Sequence, residues 1–482
     1  MPVDREAIRS NAKYLRQVRP IDPVEIVDYV PGNPDPRAVR EVLRQEAVDL
    51  GLGEREDGTF VPISSNPLDL DFDGVSALPE QYESLVEDLL VEQYGPEWDH
   101  GAVGEAIRER IRKLKAEYYR QDPVAYDLDV ALAYAIYHLP TTYASAQYVL
   151  ADLATDRLLP RRLRVLDVGA GVGGPALGLH DLVLRETTRS SGGSLQSSDD
   201  SDSPRAVVEY HAVEPSAATT VLERALSLTD RNFHYSVHET TAETFDPPGE
   251  FDIVLFSNVL SELEDPVAMA HAYLESLSAD GTLVGIAPAD RNTSLTLRRV
   301  ERALEERDAT VYGPTVRLWP GERPTDVGWS FEERDPIEPP SFQERLSRGV
   351  KRPSTLRNTT VRFSYTFLRT DGRRRYEVDL SDAPVAKMAE MDSHVSNRVD
   401  LVGAKLSGDL ADDGHPLFKL SDGSESVGHF AVLVRETSLN RSLREAAYGD
   451  LLSLEGTLVL WNDDEGAYNL VVDEETVVEP LG

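Results

Sequence analysis

The sequence contains no cysteine among its 482 residues. This absence excludes disulfide bonds, thiolate zinc sites, cysteine-held iron–sulfur clusters and a cysteine nucleophile. The chain also lacks an apolar run of about 18 residues, the length that a membrane helix needs. Asp4, Arg5, Glu6 and Arg9 lie where a secretory signal would place an apolar stretch. We therefore expect no metal site, no membrane contact and a cytoplasmic protein.

Lysine is also scarce, and the charge is strongly one-sided. The formal net charge is −36, and only 7 of the 49 basic residues are lysine. Adaptation to high internal salt explains both observations, and an acidic surface selected for a basic partner is the alternative. In molar salt the Debye length falls to about 3 Å, so distant acidic residues hardly affect binding. The acidity therefore does not exclude RNA as a partner.

The length indicates several separately packed segments, because one hydrophobic core stops growing at roughly 250–300 residues. The pattern predicts a winged-helix-like module at 1–75, a helical lead-in at 76–160, an α/β domain at 161–390 and a β-barrel at 395–482. Within the α/β domain, 187–204 is rich in Ser, Gly and Asp and is predicted to be a disordered insertion. The proline-rich stretch 314–354 is predicted to be a connector of undefined role.

Helix start signals and a turn organise the first segment. Asp22-Pro23-Val24-Glu25 supplies an N-cap, a proline at the first helical position and a capping-box glutamate, and Asp35-Pro36 repeats the first two. A helix over 36–50 leads to Asp57-Gly58, a hairpin turn between extended segments. Helix, helix and hairpin is the order of a winged helix, which binds nucleic acid in some proteins and other proteins elsewhere. Further helices are predicted over 79–94, 103–120 and 127–154.

The two later segments are distinguished by their strands. Short apolar strands alternate with helical stretches in the α/β domain, as in a parallel sheet covered on both faces; they are predicted at 164–168, 206–213, 233–238, 252–257, 281–286 and 360–369. The last segment is predicted to have strands at 398–406, 416–420, 428–435, 451–461 and 468–478, with a helix at 440–448. Five strands with a helix between the third and fourth is the order of an OB-fold barrel.

A glycine-rich turn follows the first α/β strand in Val165-Leu166-Asp167-Val168-Gly169-Ala170-Gly171-Val172-Gly173-Gly174-Pro175. Gly169, Gly171 and Gly173 let the backbone bend sharply and approach a ligand without Cβ obstruction, and the following helix start offers free amide groups. Asp167 is placed to hydrogen-bond near the ammonium of the methionine part of S-adenosylmethionine. The turn therefore predicts a Rossmann-like class I methyltransferase domain.

Glu214 ends the second strand, where a carboxylate can accept both ribose hydroxyls of the cofactor. It lies 41 residues after Gly173, and removing the 18-residue insertion leaves 23, close to the ordinary spacing of about 20. Ala242 and Glu243, after the third strand, are placed to flank the adenine. The fourth strand delivers Asn258 to the carboxyl end of the sheet, where open α/β folds bind ligands.

A nicotinamide dinucleotide site is the competing interpretation, because Gly169, Gly171 and Gly174 also satisfy G-x-G-x-x-G. That string alone is weak evidence. Asp167 occupies a position that is usually apolar in dinucleotide folds, and no Tyr-x-x-x-Lys pair follows. These differences favour S-adenosylmethionine.

Three stretches carry a resemblance to a known family: Tyr137 to Ala144, Leu166 to Gly171, and Phe251 to Val254 continuing into Asn258 to Leu263. Phe363-Ser364-Tyr365 is a weaker match. Over about 119–369, the sequence resembles the methyltransferase-like proteins associated with the small subunit of mitochondrial ribosomes and their bacterial and archaeal relatives. The resemblance implies binding to small-subunit ribosomal RNA or its assembly intermediates. Relatives carry a cysteine cluster in the connector, and this chain has none.

The function expected from these observations is S-adenosylmethionine-dependent methyl transfer on ribosomal RNA. A non-catalytic assembly factor that keeps the cofactor pocket and a small-molecule methyltransferase are the alternatives. No catalytic residue is identified; Asn258 and Glu262 are candidates, although Asn258 could serve as a cap and Glu262 could face solvent. The substrate candidates, each of which could instead be a core residue, are Tyr137, His138, Tyr143, Phe418, Phe430, Trp461 and Tyr468. Arg161, Arg162, Arg164 and Arg373 to Arg375 are further candidates for gripping RNA.

Overall fold

The structure is a computed structural model that describes residues 3–120, 124–185, 204–326, 328–411 and 413–481. Its helices are α1 Arg5–Leu15, α2 Pro23–Val27, α3 Pro36–Gln45, α4 Ala47–Leu50, α5 Glu80–Tyr94, α6 Gly101–Arg120, α7 Leu128–Thr155, α8 Gly174–Leu184, α9 Thr219–Leu226, α10 Pro266–Leu274, α11 Arg291–Glu305, α12 Ser341–Ser347 and α13 Ser442–Glu445. Its strands are β1 Leu52–Glu54, β2 Phe60–Pro62, β3 Arg162–Val168, β4 Val207–Val213, β5 Phe233–His238, β6 Phe251–Ser257, β7 Leu277–Pro288, β8 Thr310–Gly313, β9 Glu332–Arg334, β10 Val361–Arg369, β11 Arg398–Lys405, β12 Leu417–Ser421, β13 His429–Leu433, β14 Leu451–Asn462, β15 Ala467–Val472 and β16 Val477–Pro480.

The chain divides into two compact units that interleave along the sequence. The first comprises Met1–Ser257, Ser276–Ser278 and Pro336–Thr359, and the second comprises Asn258–Glu275, Ala279–Asp335 and Thr360–Gly482. The four segments predicted from the sequence are a different division, and their boundaries stay predictions. The insertion predicted at 187–204 lies outside the described residues except for Pro204.

The amino-terminal part of the first unit follows the predicted order of helices and hairpin. Asp22 and Asp35 cap α2 and α3, each accepting a hydrogen bond from a backbone N–H two residues later. β1 and β2 pair antiparallel around the Asp57-Gly58 turn, and Ile21 forms an isolated bridge to Phe60 of β2. These elements share a core of hydrophobic side chains from α1, α2, α3 and the hairpin. The winged-helix interpretation of this order stays a prediction.

The first unit also contains a parallel sheet in the order β5-β4-β3-β6. Most positions of β3, β4 and β6 are buried whichever face they point to, as expected for strands covered on both faces. The strands predicted at 164–168, 206–213, 233–238 and 252–257 are thus confirmed within two residues. The carboxyl ends of these strands place the glycine turn and Glu214 at one edge of the sheet.

Helix α7 continues through a proline, and the connector supplies the hydrogen bond that the proline cannot make. Pro140 has no N–H to donate to the carbonyl of Ile136, four residues earlier. The buried side chain of Gln343, in α12, donates from Nε2 to that carbonyl at 2.7 Å. Asn358 similarly donates from Nδ2 to the carbonyl of Tyr137 at 3.0 Å. Gln343 of the connector and Asn358, just beyond the connector, therefore complete the hydrogen bonding of α7.

The second unit holds β8, β9, β10 and all of β7 except Leu277 and Ser278, and β10 pairs antiparallel with each of the other three strands. It also contains a closed five-stranded barrel in the order β11-β12-β13-β15-β14, with β14 returning to β11. β13 and β15 are parallel, and the remaining pairs are antiparallel. The predicted helix at 440–448 is shorter, because only Ser442–Glu445 is helical. The predicted last strand is two strands, β15 and β16.

Candidate functional site

The glycine turn is held against the next strand by backbone hydrogen bonds. The N–H groups of Gly169 and Ala170 both donate to the carbonyl of Val213, at 2.8 and 3.1 Å. Gly169, Gly171 and Gly173 have φ angles of 75°, 55° and 88°, which lie in the left-handed region. Glycine adopts this region without the steric cost that a Cβ brings. The sequence therefore dictates a tight turn whose amide groups tie it to the end of β4.

Helix α8 begins directly after the turn and packs closely on α7. A Cβ built on Gly174 would lie 2.1 Å from Oγ1 of Thr142, and one built on Gly178 would lie 2.7 Å from the carbonyl oxygen of Tyr143. Gly174 and Gly178 are one helical turn apart, so they form one face along which the α7 backbone approaches. This contact fixes where the positive end of α8 lies.

Glu214 links the turn to the loop that follows β4. Its Oε2 accepts a hydrogen bond from the N–H of Gly171 at 2.9 Å, and its Oε1 accepts one from the N–H of Ser216 at 3.0 Å. The residue is buried. Each carboxylate oxygen has a second lone pair, so Glu214 can still accept hydrogen bonds from a diol.

Asp167 lies fully buried at the end of β3 with one of its oxygens unused. Its Oδ2 accepts a hydrogen bond from the hydroxyl of Tyr210, and its Oδ1 has no hydrogen-bond partner among the described residues. Burial raises the pKa of Asp167 to about 7, the Tyr210 hydrogen bond opposes this shift, and the charge of Glu214 adds to it. A cationic donor at Oδ1 would satisfy this carboxylate and stabilise its charged form.

These features fit S-adenosylmethionine. A Cβ on Gly171 would meet no atom within 4 Å, so the space over the turn is open among the described residues. Asp167 Oδ1 offers an acceptor for the ammonium of the amino-acid part, and Glu214 offers acceptors for the ribose hydroxyls. The turn, the acid and the second carboxylate all lie in the first unit.

The other predicted cofactor and catalytic residues are placed as follows. Ala242 is half-buried and Glu243 is exposed, both in the turn after β5. In the second unit, Asn258 has a φ of 61° and donates its N–H to the carbonyl of Ile286 at 2.8 Å. Glu262 is exposed in a short 3-10 helix, Leu260–Glu262. Their roles in binding or catalysis stay predictions.

The three substrate candidates of α7 lie in a packed environment. Tyr143 is buried and donates to Oδ2 of Asp181 at 2.8 Å, while Tyr137 is buried beneath the ammonium of Lys115, 4.5 Å from its ring. His138 is half-buried, and its Nε2 has no hydrogen-bond partner among the described residues. The sequence did not indicate which of the three carries an unused polar atom.

The four candidate rings of the barrel differ in exposure. Phe418 is buried in the barrel core, Phe430 and Tyr468 are half-buried, and Trp461 is 40% exposed. Trp461 and Tyr468 are register partners on β14 and β15, with ring centroids 4.8 Å apart in an edge-on arrangement. Trp461 and Tyr468 thus form the accessible aromatic pair.

Sequence analysis missed Tyr210, the residue that orients Asp167. Asp167 pairs with Ala212 across β3 and β4, and Tyr210 lies two residues before Ala212, on the same face of the sheet. The sequence signal for this role is a tyrosine in the middle of β4, between Glu209 and His211. The described part of the chain holds no group of three or more His, Asp or Glu side chains arranged to bind a metal ion. No helix in the described ranges combines the length and apolar character needed to cross a membrane.

Comparison with known proteins gives matches at both ends of the chain. Residues 5–56 match the family model "Domain of unknown function (DUF8157) N-terminal domain", and residues 389–481 match "Domain of unknown function (DUF8157) C-terminal domain". No curated protein sequence matches the chain.

Several solved structures of methyltransferases are similar to the chain in part. A protein from Thermoplasma acidophilum described as a methyltransferase has 13% identity and a TM-score of 0.28, covering 44% of this chain and 70% of its own. The plantazolicin methyltransferase BpumL in complex with SAH has 11% identity and a TM-score of 0.28, covering 60% and 96%. An S-adenosylmethionine-dependent methyltransferase from Clostridium acetobutylicum has 11% identity and a TM-score of 0.23, covering 40% and 61%. Because these scores are low, the function proposed for the chain rests on its own turn and carboxylates.

Proposed function

We propose that the chain is an S-adenosylmethionine-dependent methyltransferase that acts on, or is bound to, small-subunit ribosomal RNA. One observation carries the cofactor assignment: the N–H of Gly171 donates to Oε2 of Glu214, and the space above Gly171 is open. A Cβ built on Gly171 would have no described atom within 4 Å. The unused Oδ1 of Asp167 supports it, because a buried acceptor without a donor is costly unless a ligand supplies one.

Each of these residues has a distinct task. Glu214 accepts the ribose hydroxyls and, through Gly171, keeps the turn in a binding conformation. Asp167, held by Tyr210, accepts from the ammonium group. S-adenosylmethionine supplies an electrophilic methyl group on a sulfonium. Because methyl transfer is an in-line displacement, the protein contributes mainly by positioning the nucleophile.

The RNA part of the proposal is supported by the barrel. Its order, β11-β12-β13-β15-β14 with a parallel β13–β15 pair and α13 before β14, agrees with an OB-fold, a fold that binds oligonucleotides in many proteins. Trp461 and Tyr468 present rings on which unpaired bases can stack. Stacking is short-ranged, so it persists in the high salt that the charge of −36 indicates.

Transfer of a radiolabelled methyl group to purified small ribosomal subunits tests the proposal. Wild-type protein should label the RNA in molar salt, and Gly171→Arg should abolish the label because the arginine fills the cofactor space. Gly101→Arg is the matched control, since Gly101 has a similar φ of 57° and also meets no atom within 4 Å. It should label as wild type does.

Other results would favour one of the alternative functions or overturn the cofactor assignment. Co-sedimentation with subunits and calorimetric binding of S-adenosylhomocysteine without labelling would favour an assembly factor that retains the pocket. Binding of S-adenosylhomocysteine without co-sedimentation would favour a small-molecule methyltransferase. Failure to bind S-adenosylhomocysteine at all would overturn the cofactor assignment.

A further inference from the structure

Helix α7 and the segment just before it contact the elements of the proposed cofactor site at two points. Near its middle, Thr142 lies against Gly174, the first residue of α8 after the glycine turn. The segment just before α7 lies by the other side of the site, since the N–H of Ala217 donates to the carbonyl of Tyr126 at 3.4 Å. Ala217 is three residues after Glu214. The first half of α7 therefore extends from the Glu214 loop to the glycine turn.

His138 lies on this first half, on the face that reaches the turn. It is one helical turn before Thr142, so the two side chains share a face. Its ring is surrounded by those of Tyr118, Tyr134 and Tyr137, with centroids 5.6, 4.6 and 4.9 Å away. These packed rings fix the orientation of the imidazole.

The Nε2 atom of His138 is buried and has no partner among the described residues. A buried polar atom of this kind costs free energy unless a ligand or water satisfies it. Burial lowers the pKa of His138 to about 3, and the charge of Lys115 adds to this shift, so the imidazole is neutral at working pH. A neutral imidazole that carries its proton on Nε2 can donate one hydrogen bond there.

We propose that Nε2 of His138 donates a hydrogen bond to the carboxylate of the cofactor's amino-acid end. The amino-acid end is a zwitterion, and two unused buried atoms of the first unit match its charges: Asp167 Oδ1 can accept from the ammonium, and His138 Nε2 can donate to the carboxylate. The ammonium of Lys115, which lies over the ring of Tyr137, adds a positive charge near His138. This inference rests on the proposed function, because it assigns one contact within the same site.

Calorimetry with two ligands tests the contact. S-adenosylhomocysteine carries the carboxylate, and its decarboxylated form keeps the ammonium and the nucleoside but lacks the carboxylate. His138→Phe preserves a planar ring among the tyrosines and removes the donor. It should weaken S-adenosylhomocysteine about tenfold or more, the range for a lost hydrogen bond to a charged group, and leave the decarboxylated ligand within about twofold.

Two further variants sharpen the test. His138→Gln keeps a side-chain N–H and should recover part of the affinity for S-adenosylhomocysteine. His234→Phe is the matched control, because His234 is another poorly accessible histidine of the first unit with an unpartnered Nε2 and a pKa lowered by burial, but it lies in β5 on the groove lined by Glu41 and Arg44. This variant should bind both ligands as wild type does.

The outcomes distinguish failure of the His138 contact from failure of the proposed cofactor site. Equal affinity of wild type and His138→Phe for S-adenosylhomocysteine would overturn the proposal and leave the cofactor site standing. Equal weakening of both ligands would also overturn it, since His138 would then act through packing alone. Failure of the wild type to bind either ligand would remove the proposed function as well.

Discussion

The side chain of Thr142 occupies the space that a Cβ of Gly174 would need, with Oγ1 only 2.1 Å and Cβ 2.9 Å from that position. The contact joins the middle of α7 to the first residue of α8. It gives a physical reason for both glycine at 174 and a small side chain at 142. The Tyr137 to Ala144 stretch, which carries the family resemblance, thus packs directly against the helix that leaves the glycine turn.

Gly174→Ala should therefore destabilise the protein by about 1–3 kcal/mol, the usual cost of overpacking a close contact. Urea denaturation measures this difference. Gly249→Ala is the control, since a Cβ there meets no atom within 4 Å and the position has no left-handed φ. Adding Thr142→Ala should restore part of the stability by removing the Oγ1 clash. No change in Gly174→Ala would mean that α7 and α8 do not meet as described.

We expect Gln343 to stabilise the fold, because it supplies the hydrogen bond to the carbonyl of Ile136 that Pro140 cannot make. In the structure, Nε2 of Gln343 donates to the carbonyl of Ile136 at 2.7 Å, and Oε1 of Gln343 accepts from the N–H of Asn358 at 2.9 Å. Gln343→Ala leaves both of these backbone groups without this partner. We expect a loss of about 1–3 kcal/mol per unsatisfied group. The measurement is the free energy of unfolding in urea.

A double-mutant cycle isolates this cause. Pro140→Ala restores an N–H that can donate to the carbonyl of Ile136, so it should stabilise the Gln343→Ala variant more than it stabilises the wild type. An identical effect of Pro140→Ala in both backgrounds would contradict the proposed compensation.

The sequence predicted α7 and the strands of the sheet well because their signals are local. Asp127 caps α7 by accepting from the N–H of Val130, and a predicted helix at 127–154 is observed at Leu128–Thr155. Pro140 did not end the helix, although proline inside a helix usually breaks it. The compensating groups lie about 200 residues away, where no local pattern indicates them.

Two further differences between the predicted and the observed elements have local causes that the hydrophobic pattern alone does not show. The helix predicted at 36–50 breaks at Glu46, which has a non-helical φ of −101° and ψ of 6°. The strand predicted at 468–478 is interrupted where the N–H of Thr476 donates to the carbonyl of Asp473 in a turn. In the site, the turn and Glu214 were predicted from spacing, whereas Tyr210 follows from the register of β4 on β3.

The buried carboxylate of Asp167 predicts a pH-dependent affinity for S-adenosylhomocysteine. With a pKa of about 7, Asp167 is largely protonated at pH 6 and must ionise before it can pair with an ammonium. Affinity should therefore rise with pH, by up to about tenfold per unit below 7, and level off above it. Calorimetry between pH 5.5 and about 8.5 checks this.

Asp167→Asn removes the ionisable group and should bind weakly with little pH dependence. The same group affects stability. Because its pKa is raised above that of the unfolded chain, the folded state binds the proton more tightly, and the contribution of Asp167 to stability falls as pH rises from about 4 to 7. Asp167→Asn should lack this decline. An affinity of wild type that is flat across pH 7 would contradict the assignment of Asp167.

Glu301 in the second unit is surrounded by groups that depend on its charge. It pairs with Arg298, lies 3.7 Å from Arg317, and accepts hydrogen bonds from Thr315 and Thr366 at 2.7 Å. Burial would raise the pKa of Glu301, but the two guanidinium groups outweigh it and hold the pKa below its usual range. Its stabilising contribution is therefore present at neutral pH and is lost as pH falls through the lowered value.

Glu301→Gln should destabilise the protein by about 3 kcal/mol or more at neutral pH, because it leaves buried guanidinium charge uncompensated. Glu333→Gln is the control: Glu333 pairs with Arg362 at 2.6 Å on the surface, where such pairs contribute about 1 kcal/mol or less. Urea denaturation of both variants gives the comparison. Equal small losses would show that the buried pair contributes no more than the exposed one.

Two aromatic residues of the barrel are expected to have different roles: Trp461 binds RNA, and Phe418 stabilises the barrel core. Trp461, 40% exposed, should contribute by stacking on a base, and Trp461→Ala should weaken binding of a single-stranded small-subunit RNA fragment in molar salt about fivefold or more. Leu460→Ala is the control, because Leu460 is its neighbour on β14, is 39% exposed and has no ring. Phe418→Ala should instead cost about 3–5 kcal/mol of stability, since Phe418 fills the barrel core. RNA affinity unchanged by Trp461→Ala would remove the barrel from the proposed RNA surface, because no other candidate ring there is as exposed among the described residues.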